Sequence, residues 1–261
     1  MFSAILAIAI AAPELRLPGR IQVELTNNAP IASASPVGAF TSMFYEPTAT
    51  FQRLEARPKG WFPTLVLMVS TAALTLWYFS MVDFAWLLDQ MLAIMKPEER
   101  EQAAKFMSKT MLQVSSLVSA LLMLPLFFAI MGVYLMIVSK ALSQGMSFGK
   151  GFALAAWSSV PGILLFPLGA MQILMASSGQ LGFSGLNPVS LNQLLFHYDM
   201  THPLATLMDT LNLTTFWSMF LLVIGFQVWA KLKRSTAILV VLIPYVLIYG
   251  LWFAYGMSKL A

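Results

Sequence analysis

Leu211–Ala230 (LNLTTFWSMFLLVIGFQVWA), Lys231–Arg234 (KLKR) and Ser235–Tyr255 (STAILVVLIPYVLIYGLWFAY) decide how this chain folds. The first block carries no charged residue, and at about 1.5 Å per residue its length matches a hydrocarbon core of roughly 30 Å. The third block repeats the pattern. A single helix through all of it would sink three cations into lipid at about 2.5 to 3.5 kcal/mol each, so the chain turns at an interface instead. The reading is a transmembrane hairpin with a basic turn at Lys231, Lys233 and Arg234. Short loops rich in Lys and Arg stay cytoplasmic, so the turn also orients the rest of the protein.

Composition agrees. With 59% hydrophobic residues, 10% charged residues and a mean hydropathy of +0.77, a water-soluble fold of 261 residues would lack the polar surface to cover its core. The chain reads as an integral membrane protein. It has no cysteine, which excludes disulfides, thiolate metal sites and thiol nucleophiles. Its net charge of +4 comes from residues beside apolar spans, a topology signal and not a nucleic-acid footprint.

Working outward from the hairpin gives three earlier spans. Trp61 to Val82 is bracketed by aromatic belts, Trp61 and Phe62 at one end and Trp77, Tyr78 and Phe79 at the other. Pro97, followed by Glu98, Glu99 and Glu101, has the form of a helix start, and the second membrane helix is placed there, outside the lipid, continuing through the uncharged Met111–Val138. Ser115 and Ser119 offer it a small surface for close packing, and Ser158 and Gly162 repeat that spacing in the third span, Phe152 to Met175. Pro161-Gly162 and Pro167 predict that the third span is bent or broken. Residues 177–210 contain no Lys or Arg, as a loop on the far side requires. Ten Lys and Arg then fall inside (Arg16, Arg20, Arg53, Arg57, Lys59, Lys140, Lys150, Lys231, Lys233, Arg234) and five outside (Lys96, Arg100, Lys105, Lys109, Lys259). The fold class is thus an all-α membrane protein, a bundle of five transmembrane helices, N-terminus in the cytoplasm and C-terminus outside.

Ahead of the bundle, residues 1–35 read as a flexible tail without a periodic apolar face. Its first twelve residues are apolar, and a cleaved signal peptide or a misassigned start codon are the other readings of that stretch. Residues 36–60 read as a segment of two short amphipathic helices at the membrane interface, the first capped at Ser35-Pro36. Arg53, Arg57 and Lys59 would lie near phosphate headgroups; the alternative is that the two helices pack on the bundle. Residues 61–261 form the membrane domain.

Two motifs carry a resemblance. Phe44-Tyr45-Glu46-Pro47-Thr48-Ala49-Thr50-Phe51-Gln52-Arg53-Leu54 with Arg57-Pro58-Lys59-Gly60-Trp61-Phe62-Pro63 resembles the entry to the first span of the Yip1 (YIPF) family. Phe216-Trp217-Ser218-Met219 through Ile224-Gly225-Phe226, the basic turn and Ser235-Thr236-Ala237 resemble that family's last hairpin. The resemblance covers about residues 36 to 257 and implies a five-span helical bundle whose eukaryotic relatives act in vesicle traffic and contact prenylated small GTPases. The eukaryotic Asp-Leu-Tyr-Gly-Pro motif has no counterpart before Trp61, so the likeness is to the bacterial branch and small-GTPase binding is not expected.

Candidate chemistry is sparse. His197, Asp199 and His202 could ligate a divalent metal, but a structural site needs a fourth ligand and their i, i+2, i+5 spacing puts no two on one helix face. No cofactor is implied. Pro125, Pro161 and Pro244 sit near the middle of three spans and free the carbonyls of Leu121, Trp157 and Val240, the kind of broken helix that lines transport pathways. Gln172, Thr214 and Ser218 are the interior polar candidates beside them, and no span carries an ionisable Asp, Glu, Lys, Arg or His. The expected function is non-enzymatic: organising membrane lipids or partner proteins, among them a possible second copy of the chain, through the basic face. The alternative is a small transporter or channel using the bent second, third and fifth helices.

Overall fold

A computed structural model describes residues 35–260. The tail over residues 1–34, with Arg16, Arg20 and the signal-peptide reading, lies outside them. Among the described residues eleven α-helices follow one another: α1 Pro36–Ser42, α2 Pro47–Glu55, α3 Trp61–Met81, α4 Phe84–Ala93, α5 Pro97–Phe106, α6 Lys109–Ala141, α7 Phe148–Ser158, α8 Leu165–Met175, α9 Ala205–Thr210, α10 Leu213–Ala230 and α11 Arg234–Met257. Five segments are long and apolar enough to cross a membrane: α3, α6, the α7–α8 unit, α10 and α11. The protein is an all-α, multi-pass bundle.

The local chemistry explains the boundaries. The Ser35 side chain accepts from the Gly38 amide ahead of Pro36, and Pro47 opens α2. In the third span α7 stops at Ser158, Val160–Leu164 tightens into a 3-10 turn around Pro161, and α8 resumes at Leu165, so the predicted break is present. Lys231 ends α10 in the left-handed conformation, φ 50°, and lets the basic turn double back into α11.

The second span begins elsewhere than the sequence predicts. Pro97 opens α5, but that helix ends at Phe106, and a new one starts at Lys109 where the Ser108 side chain accepts from the Met111 amide. Extended backbone at Met107 and Ser108 separates the charged α5 from the apolar α6, so the acidic first turn belongs to a helix outside the spans. Ser115 and Ser119 are exposed in the single chain. The close approach lies further along, where a Cβ on Gly151 would stand 2.5 Å from the Gly132 carbonyl oxygen. α6 and α7 therefore meet backbone to backbone, as small residues permit in lipid.

The α1–α2 pair packs on the bundle. Ala39, Met43, Phe51 and Leu54 join the central core with Phe128, Trp157, Leu221 and Phe226. Phe44 meets Trp217 edge-on at 5.5 Å and Phe51 meets Trp229 at 5.8 Å. Those two α10 partners are twelve residues apart, so the pair follows the helix for about 18 Å. The bond from Trp229 Nε1 to the Phe51 carbonyl, 2.7 Å and buried, fixes the register.

Candidate functional site

Two arrangements stand out, and the first is a cationic rim. The Trp157 indole donates to the Lys59 carbonyl at 2.9 Å, Lys150 pairs with Glu55 at 3.6 Å, and Trp229, two residues before Lys231, is bonded to α2. These links bring Arg53, Arg57, Lys59, Lys140, Lys150, Lys231, Lys233 and Arg234 to one end of the bundle. Among the described residues only Glu46 and Glu55 accompany them, and both are engaged, Glu46 with Arg53 and Glu55 with Lys150. The other six cations have no carboxylate of the described residues within ion-pair distance. Arg53, Arg57 and Lys59 further line one cleft of about 300 Å³ between α1, α2 and the start of α3, floored by Trp157 and Phe62. The opposite end holds five cations against seven carboxylates.

The second arrangement is a cavity of about 260 Å³ to which all five spans contribute. Thr71 of α3, Ser159 in the broken third span, Asn212, Thr214 and Ser218 on and before α10, and Tyr245 and Tyr249 of α11 give it an uncharged polar lining. Leu124, Gly162 and Tyr245, each next to one of Pro125, Pro161 and Pro244, also line it, so the three proline positions adjoin the same space. Gln172 does not line it. Asn212 caps α10 by accepting from the Thr215 amide, and its side chain also accepts from the Thr214 hydroxyl at 2.7 Å. Residues 187–192 close over this end: the Leu213 amide donates to the Val189 carbonyl at 3.1 Å, and the Leu191 amide to that of Leu211 at 2.7 Å.

The carbonyl opposite Pro244 has a partner on another span. The Tyr134 hydroxyl of α6 donates to the Val240 oxygen at 2.6 Å, replacing the amide that Pro244 lacks. The sequence locates the deficit but not the donor, because a tyrosine 106 positions away leaves no local signal. Among the described residues three buried oxygens have no hydrogen-bond partner: Ser158 Oγ, Asn187 Oδ1 and Asp209 Oδ1. Burial raises the Asp209 carboxyl above the ordinary aspartate range, against a smaller opposing bond from Asn192.

The histidine cluster does not assemble. Asp199 accepts from both the amide and the hydroxyl of Thr201, which holds its carboxyl below the ordinary range. His202 stacks on Tyr198 at 3.7 Å and its Nδ1 accepts from the Leu204 amide at 3.2 Å, while His197 takes a left-handed conformation, φ 54°. Among the described residues no group of three His, Cys, Asp or Glu side chains is placed to hold a metal. These side chains shape a turn.

Comparison with known proteins fits this architecture. Residues 41–255 match the family model described as the Yip1 domain, from the end of α1 to the end of α11. No curated protein and no solved structure matches the chain. Since the match takes in both motifs, all five spans and most of the chain, the protein belongs to the Yip1 domain family.

Proposed function

We propose that this protein is a non-enzymatic organiser of membrane lipids or partner proteins, a second copy of itself included, in a bacterial cytoplasmic membrane, with the cationic rim in the cytosol and the C-terminus outside. The observation that carries this reading is the unbalanced charge at one end, where eight Lys and Arg meet two glutamates that are already paired. An anionic leaflet supplies the missing negative charge, at about 1 kcal/mol for each Lys or Arg near its surface. The reading includes no cofactor, nucleic acid or small-GTPase partner. Reconstitution in mixed bilayers tests it: brominated anionic lipid should quench tryptophan fluorescence more strongly than brominated zwitterionic lipid. Lys231→Gln, Lys233→Gln and Arg234→Gln combined should reduce that preference or invert the topology. A triple variant that keeps both would refute it.

A second reading, a small carrier or channel, is favoured by the five-span cavity. Its polar side chains are uncharged and set among apolar ones, so the permeant would be a small neutral solute. Proteoliposomes should show solute flux that Ser218→Leu with Thr71→Leu abolishes; background flux in the unaltered protein would remove this reading.

A further inference from the structure

Beyond the rim and the central cavity, a further concavity lies between α10 and α11 and opens on the side of the bundle. It encloses about 560 Å³, within the roughly 300 to 1,000 Å³ of small-molecule sites. Its walls are apolar, with Phe216, Phe220 and Ile224 on α10 facing Ile238 and Leu242 on α11. Phe220, Ile238 and Leu242 are exposed on helices that stand in the lipid, so the groove is reached from the bilayer. Its polar lining is Arg234, at the start of α11, with Gln227 and Thr48.

Charge and length together select the occupant. Arg234 opens α11, whose N-cap Lys233 supplies no capping oxygen and whose first turn holds no acid. The positive end of a 24-residue helix is thus left uncompensated next to a guanidinium. A planar guanidinium holds phosphate oxygens in pairs, and first-turn amides add donors to the same anion. From Arg234 to Leu242 the groove descends eight residues, about 12 Å, and along α10 from Val228 to Phe216 about 18 Å, bracketing the roughly 15 Å depth of one leaflet. We infer that the α10–α11 groove seats one acyl chain of an anionic phospholipid whose phosphate rests on Arg234 and the start of α11. This deepens the lipid reading above by turning a diffuse preference into a single site.

Native mass spectrometry of the full chain, titrated with phosphatidylglycerol or phosphatidylcholine of identical chains, tests it. The first phosphatidylglycerol should bind about tenfold more tightly than the first phosphatidylcholine, and Arg234→Gln should erase the difference. Ile238→Trp with Leu242→Trp, two lipid-facing changes that fill the groove, should remove the first adduct of both lipids while circular dichroism stays unchanged. Lys231→Gln with Lys233→Gln should spare the first adduct and weaken only the later ones. Equal first affinities for the two lipids, an Arg234→Gln variant that retains the preference, or a groove-filling variant that alters only dimerisation would each overturn the inference. Those results leave the rim reading intact if later adducts still respond to Lys231 and Lys233, and loss of that response alone would sink the rim reading instead.

Discussion

Tyr134→Phe isolates one hydrogen bond without changing the shape of the ring. Its hydroxyl lies 2.6 Å from the Val240 oxygen, the carbonyl that Pro244 leaves without a helical donor, and Val240 is buried. Losing a bond and stranding a buried acceptor costs about 1 to 2 kcal/mol in water-soluble proteins, and interhelical bonds in lipid average about 0.6. The expected destabilisation is therefore about 1 kcal/mol, close to a fivefold change in the unfolding equilibrium. The discriminating step is to repeat the change in a Pro244→Ala background. The alanine introduced there has an amide that can donate to Val240 within α11, so the hydroxyl loses its special role and Tyr134→Phe should cost less than half as much. Reversible unfolding in mixed micelles with rising SDS, followed by tryptophan fluorescence, gives the four free energies of the cycle. Equal costs in both backgrounds would refute the idea that the tyrosine serves the proline.

Gly151→Ala would drive a methyl into the Gly132 carbonyl at 2.5 Å, where backbone cannot yield, and should destabilise the bundle by about 1 to 3 kcal/mol in the same micelle assay. Trp229→Phe removes the 2.7 Å donor to Phe51 and should speed hydrogen exchange in α2 while leaving α3 unchanged. Burial raises the Asp209 carboxyl, so the folded chain keeps that proton to higher pH than the unfolded one; its contribution is full below the ordinary aspartate range and is lost as pH rises through the raised value. Melting curves across mildly acidic pH should therefore fall with pH more steeply for the unaltered chain than for Asp209→Asn.

What the sequence discloses here is what depends on local physics. Charge-free runs mark spans, Lys231 to Arg234 mark a turn, and Pro161 with Gly162 marks a break, because each acts on its own stretch of backbone. The start of α6 is misread from sequence because Pro97 with its acids is a strong start signal, while Ser108 is a lone capping serine inside a charged stretch. The pairs that build the sites join distant positions: Tyr134 with Val240, Trp229 with Phe51, Gly132 with Gly151. Apolar periodicity cannot single them out, since in lipid both the buried and the outward faces of a helix are apolar. The mid-span prolines are visible, but their convergence on one cavity, and the absence of Gln172 from it, needs the packing of all five spans.

The side of the membrane that the cationic rim faces decides between a cytosolic lipid-organising surface and its opposite, and reporter fusions measure it directly. Alkaline phosphatase joined after Ala261 should be active and green fluorescent protein there dark, with the reverse for reporters inserted in the turn after Lys231. Fluorescence from the C-terminal fusion together with phosphatase activity from the turn would contradict the account.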